Sequence, residues 1–436
     1  MKKIHLLLLF AIFELFTANS QPIRVFFNQT VDNSSSNITN ALTSTHLEDT
    51  ICKLINHANS SIDIAVWDNG STNIVTALNN AYSRGVRVRY ISSSNSTNTA
   101  LSNLNSNIPL LKRNSSVTSN VMHNKFIVID SLTLLTGSMN FGLGSMVNDF
   151  NNIVIITDQN LAQNYIVEFD EMWGSNGAVP NVTNSRFGPT KTDNTIHGFN
   201  VNGVQIQSYF SPTDHVTDQI VTAINSANFS LDVAMFTFIN NDIGDAVIAA
   251  KNRGVNVRCI IENINYFGSE YSRLMSNGIS VISHENTPYD FHHKYCIVDA
   301  INSNSDPLVV TGSHNWTNSA EDDYDENTLI IHDSIVANQY LEEFSKRFNE
   351  TTSIENKTDQ TEYSFYPNPT KGVINLKSLF AHQTTFLIYN IQGTLVMTGE
   401  IKSNKLDISS LPNGMYFIQF LSADHQRYIT RKIVKE

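Results

Sequence analysis

This 436-residue chain has only three cysteines, Cys52, Cys259 and Cys296, too few and too scattered for a zinc site or a disulfide framework. Cys259 and Cys296 fall in apolar, strand-like runs, where a free thiol serves as a small hydrophobe. After residue 20 no stretch is long and apolar enough to cross a bilayer, which takes about 20 residues. There is no H-E-x-x-H, no carboxylate cluster with ligand spacing and no glycine-rich phosphate loop, so neither a metal nor an organic cofactor is expected. Basic residues are scarce too, 28 Lys and Arg against 40 Asp and Glu, a net charge of −12. Residues 181–358 hold most of the deficit, with 10 basic and 22 acidic side chains (10 − 22 = −12). Such a body argues against broad electrostatic binding of polyanions, which rests on clustered Lys and Arg, although a narrow basic cleft remains compatible with it.

What the chain does have is a duplicated motif. H-x-K-x4-D occurs as His123, Lys125, Asp130 and again as His292, Lys294, Asp299, an offset of 292 − 123 = 169. Each copy is followed by G-S-x-N, first with Ser138 and Asn140, then with Ser313 and Asn315, now offset by 313 − 138 = 175 because the second copy carries six extra residues around 302–307. The duplication extends outward. Asp63 matches Asp232 and Arg89 matches Arg258 at 169, while Asn152 matches Asn327, Phe169 matches Phe344 and Trp173 matches Phe348 at 175. One unit of about 150 residues is used twice.

Lys2 and Lys3, the apolar run from Leu6 to Phe16 and the small residues before Gln21 read as a signal peptide over residues 1–20. The repeats then occupy 21–180 and 181–350. Helical spacing over Val216–Ala227 and Ile243–Asn252 alternates with strand-like runs at Leu231–Phe238 and Val255–Ile261, which predicts an α/β fold with a mostly parallel sheet. Residues 351–362 are polar and aperiodic and form a linker. The segment 363–436 shows short β-like runs punctuated by turns at Pro367-Asn368-Pro369, Gln392-Gly393 and Pro412-Asn413-Gly414, a small all-β sandwich.

Two imidazoles and two lysines suit phosphodiester cleavage without a metal. A neutral imidazole attacks an anionic diester without charge repulsion and forms a covalent phosphohistidine. A second, protonated imidazole donates to the leaving alkoxide, and lysines with amides hold the phosphoryl oxygens. The catalytic candidates are therefore His123, Lys125, Asp130, His292, Lys294 and Asp299; Ser138, Asn140, Ser313 and Asn315 are substrate-binding candidates.

The paired motifs, each with its G-S-x-N, resemble the phospholipase D superfamily over roughly residues 24–350. The resemblance implies a two-lobed α/β/α sandwich with a pseudo-twofold axis and the site between lobes. By it, Asp130 and Asp299 are more often structural than chemical. In that family a carboxylate near the second Asn often orients a histidine. Glu326 supplies it in the second repeat, but the counterpart, 326 − 175 = 151, is Asn151. The two histidines are thus not equivalent, with His123 favoured as nucleophile; whether Glu326 serves His292 or reaches across to His123 stays open. His284 and His293 are expected as solvated loop residues, and His46 and His215 at exposed helix starts. Trp173 and Phe348 should close the core of each lobe, and Tyr289 and Phe291 either line the substrate mouth or pack.

Tyr366-Pro367-Asn368-Pro369-Thr370, Leu411-Pro412-Asn413-Gly414-Met415-Tyr416 and Lys432-Ile433-Val434-Lys435 resemble the type A sorting domain of the bacterial type IX secretion system. That implies passage across both membranes to the surface or medium, with the secretion machinery as partner. The expected function is an exported, metal-independent phosphodiesterase, foremost a phospholipase D acting on phospholipid head groups. The alternatives are a nuclease of the same superfamily, with nucleic acid as substrate, and a catalytically inactive surface binding protein.

Overall fold

Aliphatic and β-branched runs form two eight-stranded sheets, one per repeat. The computed structural model describes residues 21–436 except 37–38, 45, 115–119, 285–286, 303, 353–364, 377–384, 391–393, 402 and 422–427. The expected signal peptide, most of the linker and the Gln392-Gly393 turn lie outside the described residues.

The first repeat supplies β1 (Ile23–Phe27), β2 (Leu42–Thr43), β3 (Ser61–Val66), β4 (Arg87–Ser93), β5 (Leu110–Arg113), β6 (Lys125–Ile129), β7 (Thr133–Gly137) and β8 (Asn152–Thr157). Its helices are α1 (Leu47–Asn56), α2 (Thr72–Ser83), α3 (Leu143–Val147) and α4 (Gln159–Trp173). The second supplies β9 (Gly198–Val201), β10 (Val204–Ser211), β11 (Ser230–Met235), β12 (Asn256–Ile261), β13 (Ser280–Ser283), β14 (Lys294–Val298), β15 (Leu308–Gly312) and β16 (Glu326–His332). With them come α5 (Val216–Asn225), α6 (Asn241–Asn252), α7 (Tyr271–Ser276), α8 (Asn318–Asp322) and α9 (Ser334–Thr352). The sheet orders, β2-β1-β8-β7-β6-β3-β4-β5 and β9-β10-β16-β15-β14-β11-β12-β13, correspond strand for strand apart from the origin of the outermost one.

The sheets are mixed, which corrects the expectation of a mostly parallel one. β3-β4-β5 and β11-β12-β13 run parallel, but β3-β6, β6-β7 and β7-β8 are antiparallel. Only residues 130–132 separate β6 from β7, a hairpin length, whereas a parallel crossover needs a dozen residues or more.

Helices α1 and α2 cover the outer face of the first sheet, and α5 and α6 that of the second. The inner faces of both sheets share one core with α4 and α9. Trp173 and Phe348 both belong to it, so they close a common inter-lobe core and not one core each. Their role is tied to the repeated arginines. Arg89 is fully buried, bonds Asp63 and Asp170 at 2.6 Å and lies 4.6 Å over Phe169. Arg258 bonds Asp232 at 2.7 Å and lies over Phe344 and Phe348. Cys259 and Cys296 are buried free thiols, as the sequence suggested.

Helix α9 runs through Thr352, so the first two residues of the expected linker are helical. A separate unit begins at Ser353. Its β17 (Phe365–Tyr366), β18 (Val373–Leu376) and β21 (Lys405–Asp407) form one sheet. β19 (Thr385–Asn390), β20 (Leu395–Glu400), β22 (Gly414–Leu421) and β23 (Tyr428–Lys435) form another. A core containing Ile374, Ile388, Ile418 and Ile433 lies between them, the small all-β sandwich that was expected.

Candidate active site

Lys125 pairs with Val66, and Lys294 with Met235, so both motifs enter their central strand at one sheet edge. Each histidine is pinned to the opposite repeat by its backbone: His123 N donates to Asp325 O (2.9 Å) and His292 N to Phe150 O (3.0 Å). The side chains cross over as well. His123 Nδ1 lies 2.7 Å from Glu326 Oε1, and His292 Nδ1 lies 3.1 Å from Asn151 Oδ1. Glu326 therefore serves His123, and Asn151 serves His292. Asn151 Nδ2 donates to the Ser145 carbonyl (3.0 Å), which only accepts, so Oδ1 must face His292. Nδ1 of His292 then carries the proton, and in the neutral ring the lone pair falls on Nε2. A carboxylate acceptor at His123 fixes the same tautomer.

Ser138 and Ser313 are fully buried and do not face a substrate. Ser138 Oγ donates to Asn151 Oδ1 (2.8 Å) and accepts from Asn152 N. Ser313 hydrogen-bonds Glu326 and accepts from Asn327 N. This corrects their assignment as substrate binders: a hydroxyl committed to holding the orienting residue has no role left at phosphate. The amides of Asn140 and Asn315 behave differently, since each Oδ1 is buried without a hydrogen-bond partner among the described residues. A buried amide in that state awaits a ligand or a water.

Lys125 Nζ donates to His123 O (2.8 Å) and Lys294 Nζ to His292 O (2.9 Å), the same bond in both repeats. Each ammonium has three donors, so these bonds orient the lysines without exhausting them. Burial pushes Lys125 down to about 7 despite Glu326 and Asp68. Burial and the neighbouring Lys125 push Lys294 well below its ordinary value. Both histidines are likewise held well below theirs, by burial and then by the lysines. Glu326 is pushed up to about 7 by burial, with Lys125 pulling the other way. Four potential cations thus crowd one buried acid, an arrangement that a bound oxyanion relieves.

Asp130 and Asp299, taken with the motif as catalytic candidates, lie at the far ends of β6 and β14 and take no part in this cluster. Asp130 accepts the N–H groups of Asn59, Ser60 and Ser61, and Asp299 those of Asn228, Phe229 and Ser230. Both carboxylates fasten the turn that enters β3 or β11, and these hydrogen bonds hold both below the usual carboxylate range against the opposing effect of burial.

His284 and His293 are buried, contrary to the solvated positions expected. The carboxylate of Glu343, on α9, lies 3.1 Å from His293 Nε2, and Phe150 and Phe291 pack on His284. His46 and His215 do stand exposed at the starts of α1 and α5. Phe291 is core, whereas Tyr289 is exposed.

Several site residues escaped the sequence reading. Trp67 lies 5.6 Å from His123 and Phe236 4.7 Å from His292, ring to ring. Their offset, 236 − 67 = 169, was a usable signal. Asn152 accepts from Thr311 and Tyr340, and Asn327 donates to Thr136 and bonds Tyr165, mirror-image links between the repeats. His314, buried with Nε2 3.6 Å from Glu321 Oε2, bears electrostatically on His123 and Glu326. Its counterpart is Met139, so repetition could not reveal it. Asp193, His197 and Asp214 could together approach a cation, but His197 Nδ1 is already bonded to Ser208 O and Asp214 Oδ2 to Phe210 N.

The sequence model of the family described as cardiolipin synthase, PLD-like domain, matches residues 51–173 and 220–348. Mitochondrial cardiolipin hydrolase of Mus musculus is 34% identical over 157 residues, 35% of this chain and 64% of that protein. The Xenopus tropicalis protein of the same name is 32% identical over 158 residues, 36% of this chain and 68% of its own length. Phospholipase D of Rickettsia conorii is 32% identical over 118 residues, 27% of this chain and 58% of that protein. This chain thus spans roughly two thirds or less of these relatives. The structure of phosphatidylserine synthase from Haemophilus influenzae Rd KW20 aligns with a TM-score of 0.52 at 13% identity, covering 70% of this chain and 85% of that one, which shows a shared fold. A second model, secretion system C-terminal sorting domain, matches residues 364–436 and marks the chain for export to the surface or medium. The chain belongs to the PLD-like domain family, joined to a secretion sorting domain.

Proposed function

We propose that the protein is a phosphodiesterase that cleaves phospholipid head groups through a phosphohistidine. The observation that carries this reading is the pair of crossed imidazoles, each with Nδ1 held by the opposite repeat, set beside two buried lysines whose charge burial opposes. Relatives named cardiolipin hydrolase and phospholipase D support a phospholipid diester as substrate.

His123 Nε2 attacks phosphorus and the bond to the leaving oxygen breaks; His292, which takes up a proton on Nε2 once the bound phosphate anion offsets the burial and the lysine charges that hold its pKa down, gives that proton to the leaving oxygen. The ring of the phosphohistidine keeps its Nδ1 proton and becomes cationic, with Glu326 beside it. Neutral His292 next takes a proton from water as the water oxygen bonds phosphorus and the P–N bond breaks, restoring both rings. Lys125, Lys294, Asn140 and Asn315 hold the phosphoryl oxygens as charge moves onto them.

The test is head-group release from phosphatidylcholine vesicles in EDTA by the mature chain, beside a His123→Ala, His292→Ala double variant and a plasmid DNA control. Release lost in the variant bears the reading out. DNA cleavage without lipid turnover replaces it with a nuclease, and silence on both leaves a binding protein.

A further inference from the structure

The cleft mouth is formed by loops at the edge of the two sheets where the motifs enter. One of them, residues 262–270 between β12 and α7, departs from its repeat-related counterpart in a telling way. Tyr266 and Phe267 stand at its tip, 61% and 99% exposed, the latter without cover from any side. The tip is a turn closed by Ser269 N to Tyr266 O (3.0 Å), with Gly268 at φ +84°, the conformation a type II turn demands of its third residue. Both ends of the loop are fastened to the wall of the site. Glu262 N bonds Met235 O, Asn263 N bonds Phe236 O and Glu270 N bonds Phe238 O. Phe236 in turn packs on His292. Tyr266 acts electrostatically on Tyr324, whose ring lies 6.4 Å from His123. At the offset of 169 the first repeat has Thr97 and Asn98 in place of this aromatic pair, so the fold itself does not require it.

Among the described residues, the other exposed large apolar side chains of the rim are Leu143 and Val147 on α3 and Tyr289 before β14. Charge completes the picture. The described rim segments 67–70, 120–124, 138–151, 236–240, 262–270, 287–291 and 313–325 contain no lysine or arginine. They do carry Asp68, Asp149, Asp290, Asp322 and Asp323, all with solvent-facing surface. The two lysines beside the histidines, Lys125 and Lys294, are buried. A surface that must meet a polyanion or an anionic leaflet needs the opposite collar.

We propose that loop 262–270 is a foot that seats the cleft on a bilayer of zwitterionic phospholipid. Phe267 enters the acyl boundary, and Tyr266 lies at head-group level, where aromatic residues with a polar end settle. The acidic collar repels anionic lipid and favours head groups that end in a cation. This deepens the reading of the site as a phospholipid diesterase and rests on it for the meaning of the docking, but not for the docking itself.

The experiment keeps the two apart. Vesicle flotation uses the full mature chain carrying His123→Asn and His292→Asn, so that no lipid is turned over. Binding to phosphatidylcholine vesicles is expected, with a decrease when phosphatidylglycerol is mixed in. Adding Tyr266→Ser and Phe267→Ser should weaken binding by about tenfold or more, the worth of one buried aromatic side chain. In the otherwise native chain the same foot variant should turn over bis(p-nitrophenyl) phosphate within twofold of native while losing activity on vesicles. Equal flotation of the foot variant, tighter binding to anionic vesicles, or light scattering that shows self-association of the native chain lost in the foot variant would each overturn the foot. Absent turnover of the soluble diester with intact flotation would overturn only the catalytic reading.

Discussion

Replacing Glu326 by glutamine tests the crossed pairing directly, because shape is kept and charge removed. The carboxylate lies 2.7 Å from His123 Nδ1 and is fully buried. Once Nε2 is bonded to phosphorus the ring is cationic, and two unit charges about 4 Å apart attract by about 4 kcal/mol at an effective dielectric near 20. A neutral amide acceptor recovers about 1 kcal/mol of that as an ordinary hydrogen bond. The difference, about 2–3 kcal/mol after solvent and side-chain relaxation, predicts a loss of roughly 30- to 200-fold in kcat. The sign of the pH dependence follows from the carboxyl group, which burial holds up at about 7. Below that value the native group is itself protonated and resembles the glutamine. The native-to-variant ratio should therefore approach unity near pH 5.5 and be widest above pH 8, as pH rises through the folded pKa. Steady-state turnover of bis(p-nitrophenyl) phosphate in EDTA across that range is the assay; other ionisations cancel in the ratio. A ratio below about threefold at pH 8, or one flat with pH, would refute the charge argument.

Asn151→Asp gives His292 the carboxylate that His123 already has, and should move the alkaline limb of the rate profile upward by strengthening the hold of His292 on its proton; an unmoved limb in kcat against pH counts against the pairing. Binding of inorganic sulfate, which does not titrate near neutrality, should draw protons from buffer, about half a proton at pH 7 from Lys125 alone, since burial holds that lysine at about 7. Calorimetry in buffers of different ionisation enthalpy reads this, and zero uptake would contradict the electrostatics. Asp299→Asn should lower stability by about 2–3 kcal/mol, because three backbone N–H groups lose an ionised acceptor. The group's folded pKa is depressed, so that loss is full above about pH 4 and fades as the pH falls through the folded value, while kcat of the folded fraction stays within twofold. Urea unfolding at pH 7 and pH 3 measures it.

Much of this was legible because the chain repeats itself. Subtracting 169 or 175 finds β3, β4, β6, β7 and β8 and their counterparts, the motif entry points and the arginines that meet Asp63 and Asp232, since those pairs occupy one register position in the two sheets. Partners across the pseudo-twofold were not legible. Glu326 begins β16, beside Ser313 in its own sheet, and nothing in the sequence shows that its carboxylate meets a histidine of the other lobe. The parallel-sheet expectation failed because strand and helix alternation is a local pattern, while hairpin pairing is set by the three residues at 130–132. His284 and His293 were misplaced for a related reason: the carboxylate and aromatic rings that make their burial tolerable come from segments distant in sequence.

Duplication yields two equal lobes, yet attack and leaving-group protonation are unequal tasks. The pairs that hold the scaffold keep the repeat in both lobes: Arg89 with Asp63 answers Arg258 with Asp232, and Thr136 with Asn327 answers Thr311 with Asn152. The repeat is broken around the candidate site and its rim: Glu326 against Asn151, His314 against Met139, Phe267 against Asn98. Two of these three differences surround His123, one bonded to its ring and one acting on it through space. The two pull in opposite directions: the Glu326 carboxylate favours a positive ring at His123, and the charge of His314 opposes one. The second lobe's histidine has an amide that fixes orientation and adds no charge, which suits a group that must release its proton and regain it within one cycle.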